Sequence, residues 1–300
     1  RGYAVTAVDN FVTGRKKNLE AADKAGGPQA FQLVEWDVSN PIPESMLGFV
    51  SRFGIEGILH LACPASPVDF DRIPFEIMAV SSAGTKNTVD LALKYNARYL
   101  FASTSEAYGD PLVHPQDESY WGNVNSIGPR ACYDEAKRFG EAYVSTAIRL
   151  KKLNGRIIRI FNTYGPRMRP DDGRIVPELC VRAISAQPLT VHGDGKQTRS
   201  FCYVDDLVNG MLRLLDSNLT RPVNIGNPNE YSVLDFVAAL EKIVGTSKLP
   251  IRFEDARIDD PKRRCPDITL ARSHLNWEPR VSLEVGIAKC IAYFQNEART

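Results

Sequence analysis

Tyr133 and Lys137 stand four residues apart in Cys132-Tyr133-Asp134-Glu135-Ala136-Lys137-Arg138. In a helix, positions i and i+4 lie one above the other on the same face. An ammonium beside a phenol stabilises the phenolate and draws the phenol's pKa down toward working pH. A phenol tuned that way is suited to act as a general base on a sugar hydroxyl. The plainer reading is an exposed tyrosine and a solvated lysine sharing a surface helix, and the spacing alone does not separate the two. A second group, Thr104-Ser105-Glu106, closes the apolar run that starts at Arg98. Hydroxyls and a carboxylate at the end of a strand can hold a sugar, or they can cap the next turn.

The elements around these groups alternate. Residues 3–9 form a short apolar run ending in Asp9, which reads as a buried parallel strand. An acid at the tip of the second strand of a dinucleotide fold binds the adenosine ribose hydroxyls; as a lone residue, Asp9 also fits an ordinary turn. Asn10, Phe11 and Thr13 follow in a loop suited to adenosine phosphate or ribose. Further strands are expected at 31–38 (with Asp37 near the adenine edge), 55–62, 98–106 and 155–162. Helices are expected over about 75–95 and from Tyr133 to about residue 153. The proline-rich 63–67 cannot extend a ladder and belongs at the carboxyl edge of the sheet, where such folds bind ligands. Residues 108–129 form a long aromatic loop, a length that favours a functional role.

Past residue 165 the composition changes. Arg167, Arg169, Arg174 and Arg199 fall in polar loops among short apolar pieces. Arginine forks suit the phosphates of a nucleotide sugar, although scattered surface arginines are common without one. Short strands are expected at 189–195 and 201–206, helices at 206–215 and 233–244, a late strand at 222–227 and a charged loop at 259–267. The four histidines show no metal-ligand spacing, so no metal site is expected.

Composition narrows the class. A formal net charge of +1 lacks the electrostatic footprint of a nucleic-acid binder. The six cysteines form no C-x-x-C pair, which favours reduced thiols. No long apolar run in the residues given suggests membrane contact. A glycine-rich phosphate loop and a first strand belong about 20 residues ahead of Asp9, further back than Arg1. The expectation is a chain truncated at its N-terminus, with the central strand missing and its neighbours each short of a ladder partner.

Taken together, these residues resemble the extended short-chain dehydrogenase/reductases that act on nucleotide sugars, and within them the UDP-glucuronic acid decarboxylases. The matching stretches run along the whole chain: Val8-Asp9-Asn10-Phe11, His60-Leu61-Ala62-Cys63-Pro64-Ala65-Ser66-Pro67, and Ser103-Thr104-Ser105-Glu106-Ala107-Tyr108-Gly109-Asp110-Pro111. They continue through 128–138, 159–168, Asp172-Gly173-Arg174, Gln197-Thr198-Arg199, Tyr203-Val204 and Arg264-Cys265-Pro266-Asp267. The resemblance implies an α/β fold: a doubly wound, Rossmann-like parallel sheet with a smaller C-terminal α/β substrate lobe. It implies an NAD-binding part over 1–165 and a mainly nucleotide-sugar-binding part over 166–300, with a strand near 222–227 returning to the large sheet.

The resemblance also implies a reaction. Tyr133 takes the proton of the sugar's 4-hydroxyl as NAD accepts hydride, Lys137 lowers the tyrosine's pKa, the 4-keto sugar loses carbon dioxide, and the hydride returns to give UDP-xylose. Thr104, Ser105 and Glu106 would contact the reacting sugar, and Arg264 would place its carboxylate or the diphosphate. Asn162, Arg174, Arg199 and Tyr203 would hold the nucleotide sugar. Asp9, Asn10, Phe11, Thr13, Asp37, Val38, Leu61, Cys63 and Thr163, with Tyr133 and Lys137, would hold NAD. Related 4,6-dehydratases carry an Asp-Glu pair where Ser105-Glu106 stands, and 4-epimerases typically lack the acid. Both remain alternatives, as does an inactive nucleotide-sugar-binding scaffold lacking the glycine loop. Cys63 replaces a usual serine, and Ser81 a usual asparagine ahead of Gly84-Thr85. The resemblance further implies a homodimer and a cytoplasmic setting, or the Golgi lumen if a membrane anchor precedes Arg1.

Overall fold

Apolar runs bounded by polar turns set the layers of the molecule. The computed structural model describes residues 2–26, 30–48, 53–246, 248–255 and 263–298. β1 (Val5–Asp9), α1 (Glu20–Gly26) and β2 (Phe31–Glu35) form a parallel β-α-β unit, with Val5 opposite Phe31 and Asp9 opposite Glu35. β3 (Gly57–His60) is followed by the short helices α2 (Pro67–Phe70) and α3 (Pro74–Ala79). A π-helical turn at Val80–Gly84 then leads into α4 (Thr85–Tyr95). β4 (Arg98–Thr104), α5 (Ala131–Lys151) and β5 (Gly155–Ile160) complete the first half.

The second half is built from smaller pieces. In order they are β6 (Thr163–Tyr164), α6 (Ile175–Ile184), β7 (Leu189–His192), β8 (Thr198–Ser200), β9 (Cys202–Tyr203) and α7 (Val204–Asp216). β10 (Val223–Ile225), β11 (Glu230–Ser232), α8 (Val233–Val244) and β12 (Ile251–Glu254) follow. β13 (Arg263–Arg264), α9 (Thr269–Leu275) and α10 (Leu283–Glu297) close the chain. Residues 259–262 of the charged loop lie outside the described residues. No described helix is long and apolar enough to cross a membrane.

The main sheet is parallel, in the order β10-β5-β4-β3. The β1–β2 pair is a separate sheet and shares no ladder with β3 among the described residues. β4 lies between β3 and β5 and is buried almost throughout, as a parallel strand covered on both faces must be. Its side chains alternate between two cores. Tyr99 and Phe101 pack with Val89, Val144 and Ile157, whereas Leu100 and Ala102 pack with Ile158, Leu214 and Ile225. Gly140 lets α5 sit directly on β4, because a Cβ there would collide with the Phe101 ring.

Two expected elements differ locally. The helix foreseen over 75–95 is interrupted at Val80–Gly84, where hydroxyls bond back onto carbonyls: Ser82 Oγ to Met78 O and Thr85 Oγ1 to Ser81 O, both at 2.7 Å. Such bonds compete with the regular helical pattern. The strand foreseen over 98–106 stops at Thr104, whose Oγ1 accepts from Glu106 N at 3.1 Å and starts a 3-10 turn over Ser105–Tyr108.

Candidate active site

The carboxyl end of β4 opens into a cleft of about 450 Å³. Thr104, Ser105, Glu106, Tyr133, Lys137 and Arg264 all line it, together with Leu61, Cys63, Asn162, Thr163, Arg174 and Arg199. Residues drawn from all along the sequence therefore meet at one sheet edge, the place where open α/β sheets bind ligands. Thr104 is both cap and lining residue, so its two sequence readings hold together.

Tyr133 and Lys137 sit on the first turns of α5, and both are buried. The surface-helix reading is thereby excluded. Lys137 Nζ donates to Ala102 O at 2.8 Å and lies 5.9 Å from the centre of the Tyr133 ring. The Tyr133 ring stacks on Phe70 at 5.1 Å. The expected lowering of the phenol's pKa is not found. Burial drives it well above its ordinary value, helped by Cys63 and the Glu106 carboxylate, and Thr104 and Arg174 oppose only in part. Desolvation outweighs the nearby cations because both the phenol and its neighbours are shielded from water. Next to Lys137, His60 is pushed down to about 3, first by burial and then by the ammonium, so it is neutral.

Glu106 is in the opposite situation. Arg264 Nη2 lies 2.9 Å from Glu106 Oε2, and Arg264 Nη1 bonds Oε1. Arg130 Nη2 reaches Oε2 at 2.9 Å. Burial works against ionisation, but the two guanidiniums overcome it and hold the carboxyl down at about 2. Asp134, one turn along α5 from Arg130, is pushed up to about 7 by burial and by the Glu106 charge.

The residues expected on the cofactor side fall into two groups. Leu61, Cys63, Thr163, Tyr133 and Lys137 face the cleft. Asp9, Asn10, Phe11, Thr13, Asp37 and Val38 gather instead at the carboxyl edge of the β1–β2 pair, and none of them lines the cleft. Asp9 Oδ1 accepts from Phe11 N at 2.7 Å and holds Phe11 at φ 55. A Cβ on Gly14 would come within 2.9 Å of Asp9 Oδ2, so glycine keeps that carboxylate approachable. Burial works against the Asp37 charge, but the Ser39 hydroxyl and amide, together with Asn10, hold its carboxyl below the usual range. Val38 packs on Gly84. The two positions that depart from the resembled family touch: Cys63 Sγ and Ser81 Oγ are 3.4 Å apart.

On the sugar side, Arg174 pairs with Asp172, with Nη2 2.8 Å from Oδ2. Arg199 is buried within β8 and donates to Thr198 O at 2.8 Å. Tyr203 is buried in the core of the second half, edge-on to Tyr164 at 5.7 Å, and does not line the cleft. Its large apolar body explains this, since a tyrosine can contribute burial without exposing its hydroxyl to a ligand. Arg130 was missed from sequence. A cation at the N-cap of α5 runs against the helix dipole, and that mismatch was the available signal for an anionic partner.

Residues 1–226 match the family described as NAD dependent epimerase/dehydratase. The chain is 46% identical over 296 residues to UDP-glucuronic acid decarboxylase 1 of Xenopus tropicalis, covering 99% of this chain and 67% of that protein. It is 44% identical over 283 residues to UDP-glucuronic acid decarboxylase 3 of Arabidopsis thaliana, covering 94% and 79%. Among solved structures it superposes on UDP-glucose 4-epimerase of Thermotoga maritima with UDP-glucose, at TM-score 0.87 and 28% identity, covering 99% and 92% of the two chains. It also superposes on UDP-glucuronic acid 4-epimerase of Bacillus cereus in complex with UDP-glucuronic acid and NAD, at TM-score 0.85 and 26% identity, covering 98% and 92%. A buried Tyr133–Lys137 pair at the carboxyl edge of a parallel sheet and a family match over most of the chain agree: this protein belongs to the NAD dependent epimerase/dehydratase family.

Proposed function

We propose that this protein converts UDP-glucuronate to UDP-xylose and carbon dioxide with NAD held in the site and recycled. The observation that carries the choice of reaction is the state of Glu106. Its carboxyl is held at about 2 by Arg264 and Arg130, so it is ionised at any physiological pH. Elimination of water needs a group that can hand a proton to the departing hydroxyl. Glu106 has none to give, and Ser105 occupies the neighbouring position. Loss of carbon dioxide from a β-keto acid asks only that negative charge on the keto oxygen be tolerated. The relatives at 46% and 44% identity, both decarboxylases, favour this reaction over epimerisation.

The residues present fit NAD. Asp9 offers a carboxylate at a strand tip beside Gly14, and Leu61, Cys63 and Thr163 line the path toward Tyr133 and Lys137. NAD, when bound, supplies the acceptor and later the donor of the hydrogen at C4 of the sugar. The Tyr133 phenol first gives its proton to solvent, and the phenolate so formed takes the proton of the sugar's 4-hydroxyl and later returns it. Lys137, fixed by Ala102 O, sets a positive charge beside that phenol. Thr104 and Ser105 hold the sugar by their hydroxyls, and Arg174 and Arg199 hold the diphosphate.

Incubation with UDP-glucuronate and NAD tests the reaction. Carbon dioxide and a pentose nucleotide are expected; a 4-keto-6-deoxy sugar or a C4 epimer as the product would overturn it. The protein acts as a homodimer through the outward faces of α3 and α5. Phe75, Met78 and Phe139 are 78%, 47% and 48% exposed there, and apolar exposure of this kind supports a protein contact. A monomeric mass by light scattering would rule the dimer out.

A further inference from the structure

Outside the cleft, one step from Arg264, three potential metal ligands converge. His114 lies in the long loop after β4, Glu230 begins β11, and Cys265 follows β13. Their donor atoms all lie within 4.8 Å of one another, and His114 Nε2 is 2.8 Å from Glu230 Oε2. His114 and Glu230 are 116 residues apart in the chain, so no sequence spacing reveals the group. The surroundings hold each ligand in place. Thr198 Oγ1 donates to Glu230 Oε1 at 2.6 Å, which leaves Oε2 toward His114. Gln116 ties the His114 loop to Cys265 twice: Gln116 N donates to Cys265 O, and Cys265 N to Gln116 Oε1, both at 2.9 Å. The Cys265 thiol donates to Pro228 O at 3.3 Å. Arg263 Nη2 is 3.8 Å from Glu230 Oε2, but its side chain is 62% exposed and can turn out into water.

We propose that His114, Glu230 and Cys265 bind a divalent transition-metal ion of the zinc type. Thiolate and imidazole select such ions over magnesium or calcium. One histidine, one carboxylate and one cysteine supply three protein ligands and leave a fourth position for water at the surface side of His114. With metal–ligand bonds of about 2.0–2.3 Å, the donors of a filled tetrahedral site stand roughly 3.3–3.8 Å apart. Cys265 Sγ therefore closes in by up to about 1.5 Å, and His114 and Glu230 separate slightly, movements within reach of side-chain torsions. As the sulfur–metal bond forms, the thiol proton leaves to solvent. The ion joins the loop after β4 to β11 and to the segment after β13, and so braces the backbone that carries Arg264.

Cobalt(II) serves as the spectroscopic probe, added to the whole protein. One equivalent should give a thiolate-to-cobalt charge-transfer band and the visible bands of a tetrahedral ion, and zinc should displace both. Cys265→Ser should lose the charge-transfer band. His114→Gln, a change at the surface, should weaken cobalt binding by about tenfold or more. Cys63→Ser and Cys132→Ser should each keep the spectrum and thereby exclude the two half-buried thiols. Absence of a sulfur-to-metal band would overturn the proposal, as would a spectrum unchanged in both Cys265→Ser and His114→Gln. If Cys265→Ser does not fold, the histidine variant decides alone.

Discussion

Arg264 and Glu106, 158 residues apart in the chain, meet in a two-pronged ion pair at the end of β4, with Nη2 2.9 Å from Oε2. Arg130 approaches the same carboxylate from the start of α5. The pair ties the last quarter of the chain to the strand that organises the first half. It also fixes the ionisation of the one carboxylate in the cleft whose proton would decide between elimination and decarboxylation.

Arg264→Met should therefore act twice. Breaking one side of a buried ion pair costs about 3–5 kcal/mol, and Arg130 offsets part of that by remaining beside Glu106. Turnover should fall about 100-fold, the size of losing one preorganised donor. Arg264→Lys keeps the charge without the fork and should recover only a fraction of the activity. Steady-state kinetics with denaturant melts separates the two effects. Wild-type turnover in Arg264→Met would remove the clamp from the reaction.

Tyr133→Phe should abolish turnover, with a loss of at least about 100-fold, the lower end for a positioned general base. The phenyl ring still stacks on Phe70, so the helix and cleft should persist. UDP-glucuronate should bind within a few-fold of wild type by calorimetry. Because burial holds the Tyr133 hydroxyl protonated, its basicity depends on cations brought close to it. Retained turnover would exclude Tyr133 as the proton acceptor.

The strand ends were legible in the sequence because each closes a continuous apolar run with a polar residue. Asp9 and Thr104 stand at such ends. The Tyr133–Lys137 face was legible through helical spacing, but its burial was not, since spacing says nothing of what packs on it. Partners from distant segments were hidden. Nothing local marks Arg130 and Arg264 as sharing Glu106, or His114 as meeting Cys265. The burial of Tyr203 was not legible, because a two-residue strand has too little pattern to fix which face points inward. The π-helical turn was missed because the flanking apolar residues keep helical spacing across it, and the serine and threonine hydroxyl bonds that break it depend on local geometry.

Gly140→Ala should destabilise the protein by about 1–3 kcal/mol, the usual cost of forcing a methyl group into a filled core. The added carbon meets the Phe101 ring, and neither β4 nor α5 can retreat without disturbing the core on that face. Since α5 also carries Tyr133 and Lys137, turnover should fall alongside the melting temperature. A variant with unchanged Tm would show that α5 stands off from β4 in solution.

The stability profile with pH should reveal Asp134. Its carboxyl rises from an ordinary 3.8 to about 7 in the fold. Between those values the unfolded chain has released the proton and the folded chain still binds it, so stability falls as pH rises through that window. Glu106 has the opposite sign: from an ordinary 4.5 it drops to about 2, so its contribution grows as pH rises from 2 to 4.5 and is constant above. The two limbs predict greatest stability near about pH 4, where the rise from Glu106 ends, followed by a decline toward pH 7. Asp134→Asn keeps a side chain of the same shape beside Arg130 and has no proton to release. It should match wild type near about pH 4 and exceed it above about pH 7, by on the order of 4 kcal/mol. Glu106→Gln should instead lose the acid-side rise. Thermal melts from about pH 2 to pH 8 read both limbs directly. A wild-type curve that climbs steadily to neutrality, or an Asp134→Asn curve parallel to it, would place the Asp134 proton off this carboxylate.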